Sequence, residues 1–380
     1  MDALMLPSNW QRVRLGDIAE IIGGGTPSTQ ITSFWNGSIN WFTPTEIGVT
    51  KYVHKSQRTI TPLGLKKSSA KLLPIGTILL TSRASIGDCA ILKVVATTNQ
   101  GFQSLIPLEK INNEFLYYLM LTLKNKLLKL ASGSTFLEVS PNKIKNLLIP
   151  LPPLNEQIAI ANILSDVDHY LYSLDALILK KESVKKALSF ELLSQRKRLK
   201  GFNQAWQKVR LGDICEITTG SLDANEMVHY GKYRFYTCAK EYYFIDKYAF
   251  DTEAILISGN GAYVGYVHYY KGKFNAYQRT YVLDNFSEHI MFVKYFLTMF
   301  LQSHIQTNRN EGNTPYIVMA TLKDFEIFLP PLNEQIAIAN VLSGLDHEII
   351  SLKNKKRQFE NIKKALNHDL MSAKIRVLKK

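Results

Sequence analysis

The chain has 380 residues, 46% of them hydrophobic, and a net charge of +14. That apolar content suffices for two cores of ordinary domain size and excludes a disordered chain. No run of about 18 apolar residues and no apolar leader segment is present, which predicts a cytoplasmic protein without a membrane partner. Cys89, Cys215 and Cys238 form no C-x-x-C pair and leave one over, so free thiols are expected, not a disulfide framework or a structural zinc.

From the N-terminus onward the chain is written twice. WQRVRLGDIAEI from Trp10 returns as WQKVRLGDICEI from Trp206, and LPPLNEQIAIANILS at Leu151–Ser165 returns as LPPLNEQIAIANVLS at Leu329–Ser343. A repeat of this kind outranks other readings of a sequence. The first pair is offset by 196 positions and the second by 178, so the second globular segment is 18 residues shorter than the first. The predicted segments are a lobe at 1–150, a helical segment at 151–200, a second lobe at 201–328 and a second helical segment at 329–380.

Each helical segment opens after a Pro-Pro pair that ends the preceding strand. Asn155 and Asn333 are the expected N-caps, with Glu156 and Glu334 in the first turn. Apolar residues then alternate at spacings of three and four: Leu164, Val167, Leu171, Leu174, Ile178, Leu188 and Leu192 in one copy, and Leu342, Leu345, Ile349, Leu352, Phe359, Leu366 and Leu370 in the other. This is a heptad seam, broken by Lys181 and Lys185 in the first copy and by Lys356 and Lys363 in the second, polar entries of the kind that specify register and orientation. Some 40 residues at about 1.5 Å each would span about 60 Å. The short link from Lys200 to Trp206 predicts that the second helix runs back antiparallel to the first, with a lobe at each end of the pair.

Residues 176–200 carry 8 Lys/Arg against 2 Glu, and residues 353–380 carry 10 against 2 acids, which accounts for the whole net charge. The lobes are therefore close to neutral. If they bind nucleic acid, they must use local clusters and polar side chains, not a bulk basic field.

The order of W-x-x-V-R-L-G-D-I and L-P-P-L-N-E-Q before a long helix, each given twice, with the turn GGGTPST from Gly23 in the first lobe, resembles the specificity subunit of type I restriction-modification enzymes over essentially the whole chain. The resemblance implies an α+β architecture: two pseudo-symmetric α/β target-recognition domains separated by two long antiparallel helices forming a coiled-coil spacer. It implies double-stranded DNA as ligand, with each lobe reading half of a split site. It also implies that two modification subunits dock on the helices and methylate adenine with S-adenosylmethionine, and that a restriction subunit using ATP and Mg can join. The chain itself would then be non-catalytic and bind no cofactor or metal.

The residues agree with a chain without chemistry of its own. Lys232 and Lys273 follow glycines but precede Tyr233 and Phe274, so no phosphate-binding G-x-x-x-x-G-K-[ST] loop exists, and GNGAYVG at Gly259 has the wrong glycine spacing for a dinucleotide turn. Both Pro-Pro pairs stand between leucines, not after the Asp or Asn that an adenine methyltransferase needs, and His54, His268 and the other histidines lack metal-ligand spacing.

Candidate DNA-binding residues lie in the polar turns of each lobe. In the first lobe these are Gly24, Gly25, Thr26, Ser28 and Thr29, then Ser82, Arg83 and Ser85 of TSRASIG, Gln100 of TNQGFQ, and Ser134 and Thr135 after Gly133. In the second lobe they are Thr219 and Ser221, Asn260 and Tyr263, Gln278 and Arg279, and Asn313 and Thr314 after Gly312. Arginine reads guanine, and Asn or Gln reads adenine, through paired hydrogen bonds in the major groove. Because the lobes differ outside their framing motifs, the two half-sites are expected to differ. The near-identity of the two LNEQIAIAN segments predicts a shared docking surface for two copies of one partner, assigned to Asn155, Glu156, Gln157, Asn333, Glu334 and Gln335. The alternatives are a stand-alone bipartite DNA-binding protein and a coiled-coil scaffold without a DNA role.

Overall fold

The computed structural model describes residues 6–133, 137–308 and 315–377. The chain divides into two compact units, one formed by residues 1–175 with 355–380 and the other by residues 176–354. Each unit thus joins a lobe to the opening half of one long helix and the closing half of the other.

The two framing motifs of each lobe pair with each other. Strand Gln11–Arg14 lies antiparallel to Leu148–Leu151, with Gln11 opposite Leu151, and Gln207–Arg210 lies antiparallel to Glu326–Leu329, with Gln207 opposite Leu329. The LGD turn that follows drives a fully buried leucine, Leu15 or Leu211, into the core. Its N–H is held by the Leu147 carbonyl at 2.9 Å in one unit and by the Phe325 carbonyl at 2.8 Å in the other. The repeated words are therefore the base on which each lobe is built.

Between these frames the lobes diverge. The first carries a five-stranded sheet, ordered Ala19–Gly23, Gln103–Pro107, Ile78–Leu80, Cys89–Leu92, Tyr52–Val53, and a three-stranded sheet centred on Trp35–Phe42. The second carries one six-stranded sheet, ordered Glu216–Thr219, Thr280–Asp284, Phe250–Ser258, Val267–Ala276, Tyr233–Tyr236, Tyr243–Ile245. In both, one helix, Asn113–Leu130 or Ile290–Asn308, covers the sheet with buried aromatics such as Phe115 and Tyr118, or Phe292 and Phe296.

The long helices span Leu154–Leu193 and Leu332–Met371. Each starts one residue before the asparagine expected to cap it. Pro153 and Pro331 stand ahead of the first turn instead, their carbonyls accepting from Glu156 and Glu334 N–H at 2.9 Å. A proline fits there because it has no N–H to leave unsatisfied and its φ already suits a helix. The amide oxygens of Asn155 and Asn333 accept from the next N–H within that turn, each at 2.9 Å.

Every residue of the expected seam is buried or half-buried, and each interrupting lysine meets a carboxylate of the other helix. In the first unit Lys363 pairs with Asp168 and Lys356 with Asp175. In the second, Lys185 pairs with Asp346, Lys181 with Glu348 and Lys353 with Glu182. Within each unit the residue number falls on one helix as it rises on the other, so the segments are antiparallel. The position of Lys181 and Glu348 is taken in the other unit by Phe359 and Tyr170, whose rings pack with centroids 4.6 Å apart.

Asp346 also accepts from Tyr295 Oη at 2.7 Å. Burial alone would raise its carboxyl pKa, but the hydrogen bonds from Lys185 and Tyr295 and the charges of Lys185 and Lys294 outweigh that and hold it below the ordinary value. A depressed carboxyl contributes stability above its unfolded pKa and loses it as pH falls through the folded one. Asp346→Asn is thus expected to weaken the fold at neutral pH and to flatten the loss of stability below the ordinary carboxylate range. A double-mutant cycle with Lys185→Met should return a coupling of about 1 kcal/mol, read by denaturant unfolding; additive single effects would contradict the pairing.

Candidate nucleic-acid interface

The sheets of the first lobe end in a cluster of loops that gathers the predicted turns. The glycine turn docks on TNQGFQ, with Gly25 N–H donating to the Thr98 carbonyl at 2.8 Å and Thr26 Oγ1 bonded to the Gln100 amide oxygen. The approach is close because a Cβ at Gly24 would stand 1.8 Å from the Asn99 carbonyl oxygen. TSRASIG joins from the other side, with Ser82 N–H donating to the Gly101 carbonyl at 2.8 Å and Val139 N–H donating to the Ser82 carbonyl at 3.1 Å. Arg83 then pairs with Glu138 at 2.8 Å. Thr26, Ser28, Thr29 and Gln100 are exposed, whereas Ser82 is buried and Ser85 half-buried. Gly24 and Gly25 serve as tight packing positions, and the Ser28 carbonyl accepts from Trp35 Nε1 at 3.0 Å.

The second lobe builds the same frame with other side chains. Gly259 N–H donates to the Arg279 carbonyl at 2.8 Å, and Ile317 N–H donates to the Gly259 carbonyl at 2.9 Å, which sets Gly259 where Ser82 stands in the first lobe. Asn260 faces Tyr316 in a single backbone bridge, as Arg83 faces Glu138. Gln278 N–H donates to the Leu222 carbonyl at 2.9 Å, which holds the turn of Ser221 beside it. Thr219, Ser221, Tyr263, Gln278 and Arg279 are exposed, and the Lys240 ammonium lies 5.3 Å from the Tyr263 ring centre. Ser134, Thr135, Asn313 and Thr314 lie outside the described residues.

The framing is tight enough to test. A Cβ at Gly220 would stand 1.8 Å from the Ala276 carbonyl oxygen, so Gly220→Ala must displace the loop. It is expected to cost about 1–3 kcal/mol, seen as a lower melting temperature, while Gly261→Ala, with nothing within 4 Å but a φ of +80°, should cost about 1 kcal/mol from backbone strain alone.

Among the described residues no group of three or more His, Cys, Asp and Glu side chains is placed to hold a metal ion, and no helix is long and apolar enough to cross a membrane. The chain is matched by the model of the type I restriction modification DNA specificity domain at residues 7–181 and again at 203–361. It belongs to that family.

The MjaIX type I restriction enzyme specificity subunit of Methanocaldococcus jannaschii is 29% identical, over 98% of this chain and 95% of that protein. The EcoDI specificity subunit of Escherichia coli is 38% identical over 44% of this chain and 37% of its own length. The crystal structure of the type I restriction-modification S subunit from M. genitalium shares the fold, with a TM-score of 0.62 at 18% identity, covering 97% of this chain and 98% of that one. The chain is accordingly a non-catalytic DNA specificity subunit.

The segment expected to dock partners of this specificity subunit turns inward instead. Glu156, Gln157, Glu334 and Gln335 are each 1% exposed, and intramolecular bonds occupy their polar atoms, which corrects their assignment as a docking surface. Gln157 accepts from Asn112 N–H at 2.8 Å and donates to the Lys110 carbonyl at 3.1 Å and the Pro152 carbonyl at 2.9 Å. Gln335 accepts from His289 N–H at 3.0 Å and donates to the Pro330 carbonyl at 2.9 Å. Glu156 receives Trp10 Nε1 at 3.1 Å and Arg376 Nε at 2.8 Å. Glu334 receives Arg198 Nε at 3.0 Å and Nη2 at 2.5 Å. The arginine near the end of each long helix thus fastens to the glutamate at the start of the other. Only Asn155 and Asn333 of the six are exposed. Buried polar groups need partners inside the fold, and that requirement accounts for the near-identity of the two copies. Arg198 and Arg376 stand 178 positions apart, the repeat offset, and that was the signal that could have found them.

Proposed function

We propose that this specificity subunit reads an asymmetric, bipartite duplex site, the lobe at 1–150 contacting one half and the lobe at 201–328 the other, while the helical segments at 151–200 and 329–380 set the gap. One observation carries this reading: the two loop clusters share a hydrogen-bond frame yet present different side chains, Arg83 and Glu138 in one and Asn260 and Tyr316 in the other. A common frame fits a common approach to the groove, and different side chains fit different bases. Thr26, Gln100, Gln278 and Arg279 line the same clusters and are assigned to DNA contact.

Two modification subunits carrying S-adenosylmethionine bind the chain, and a restriction subunit using ATP and Mg joins them in the cytoplasm. The exposed Leu154 and Ile158, with Leu332 and Ile336 in the other copy, lie beside the buried glutamates and supply the apolar patches on which those partners dock.

The test is to purify the chain with the methyltransferase subunit encoded beside it and to titrate duplex DNA at several salt concentrations. A specific duplex should bind at least about a thousandfold more tightly than unrelated DNA, with affinity falling as salt rises. Equal binding of all duplexes by a stable complex would favour the scaffold reading. A recognition site with two identical halves would contradict the asymmetry.

A further inference from the structure

The loop cluster of the first lobe contains an ion pair at a position where the second lobe, among the described residues, has neutral side chains. Arg83 Nη2 lies 2.8 Å from Glu138 Oε2, and the side chains remain 41% and 32% exposed. The backbone fixes both residues. They face each other in a single antiparallel bridge, and Glu138 exchanges two hydrogen bonds of 3.0 Å with Ser132. Behind them, Arg83 Nε and Ser85 Oγ are buried without a hydrogen-bond partner among the described residues. Glu138 thus holds one edge of the guanidinium, and its exposed remainder, next to the carboxylate, is open to whatever meets the loop. The corresponding bridge in the second lobe joins Asn260 to Tyr316, both neutral.

A carboxylate held against an arginine is a poor arrangement for gripping phosphate, because the approaching anion meets a negative charge beside the positive one. It is a good arrangement for the floor of the major groove. A G·C pair displays two acceptors, guanine N7 and O6, followed by one donor, the cytosine N4 amino group, whereas an A·T pair interleaves acceptor, donor and acceptor and ends in a methyl group. Donors followed by an acceptor match the first pattern and clash with the second.

We propose that Arg83 and Glu138 act as one composite reader of a G·C pair in the half-site of the first lobe, Arg83 donating to guanine and Glu138 accepting from the paired cytosine. This rests on the loop cluster facing DNA, as argued above. Glu138 has two roles in this arrangement: it contacts cytosine, and it holds the arginine in the orientation that excludes the other base pairs.

The experiment uses the full chain co-expressed with its methyltransferase subunit and maps methylated adenines genome-wide for the wild type, Glu138→Gln and Arg83→Ala. The wild-type motif should hold an invariant G·C pair in one half-site. Glu138→Gln, which keeps the shape of the side chain but not its charge, should lower discrimination at that pair about tenfold and leave selection in the other half-site unchanged. Arg83→Ala should weaken selection at the same position. Unchanged discrimination at every position in both variants would overturn the proposal, leaving a solvated surface ion pair. So would equal relaxation of both half-sites, or a general loss of methylation, in a variant that melts like the wild type. A wild-type complex with no split motif would instead defeat the reading on which the proposal rests.

Discussion

Glu156→Ala is expected to be among the most destabilising single substitutions in the chain, at about 3–5 kcal/mol. The carboxylate is buried and receives both the Arg376 guanidinium and the Trp10 indole N–H. Its removal leaves a cation and a donor without the partner that offset their desolvation. Glu334→Ala should cost less, because only Arg198 depends on that carboxylate and Trp206 Nε1 is already without a partner among the described residues. Denaturant unfolding of the two variants gives the comparison. The double variant Glu156→Ala/Arg376→Met should recover part of the loss, since it also removes the stranded charge. A cost below about 1 kcal/mol for Glu156→Ala would place this pair with ordinary surface ion pairs.

The second large effect concerns reading, not folding. Alanine at Asn260 or Gln278 should leave the melting temperature within a degree or so of the wild type, because Asn260 is half-buried, Gln278 is exposed, and it is the backbone of Gln278 that holds the loop. Each variant should relax selection at one base pair of the second half-site by about 1–3 kcal/mol, roughly 5- to 150-fold. Competition between duplexes altered one pair at a time would measure this, with the first half-site as internal control. Relaxation spread over both half-sites would mean that these side chains support the lobe instead of reading bases.

Much of the frame was legible in the sequence because identical requirements were written twice. The W-x-x-V-R-L-G-D-I strand and the strand before Pro-Pro recur because they pair with each other, and the heptad seam recurs because its apolar residues face inward in both helices. Even the interrupting lysines carried information, since Lys181, Lys185, Lys356 and Lys363 each have a carboxylate across the seam. The burial of the glutamate and glutamine of each LNEQ segment is not legible in the sequence, for a physical reason. A glutamate and a glutamine in the first turn of a helix look like surface residues, and their burial is made tolerable by distant groups: Trp10 and Arg376, the latter across 220 positions, for Glu156, and backbone groups of Lys110, Asn112 and Pro152 for Gln157. Sequence spacing does not display such a contact directly, although the repeat offset links Arg198 to Arg376.

The candidate site was legible in outline. The turns around Thr26, Arg83 and Gln100, distant in the chain, meet in one cluster because the sheet brings strand ends together, and the polar turn chemistry marked each of them. Glu138 and Tyr316 were missed because they follow the polar loops instead of lying in them. Their significance appears only from the backbone bridges to Arg83 and Asn260.

On the proposed reading this chain chooses the DNA sequence on which its partners act. The most direct test is a genome-wide map of methylated adenine by single-molecule sequencing, in cells with the methyltransferase subunit and with or without this chain. A split motif with two different halves, present with the chain and absent without it, is the predicted result. Methylation that stays the same when the chain is deleted, although the complex is stable, would mean that the chain does not choose the sequence.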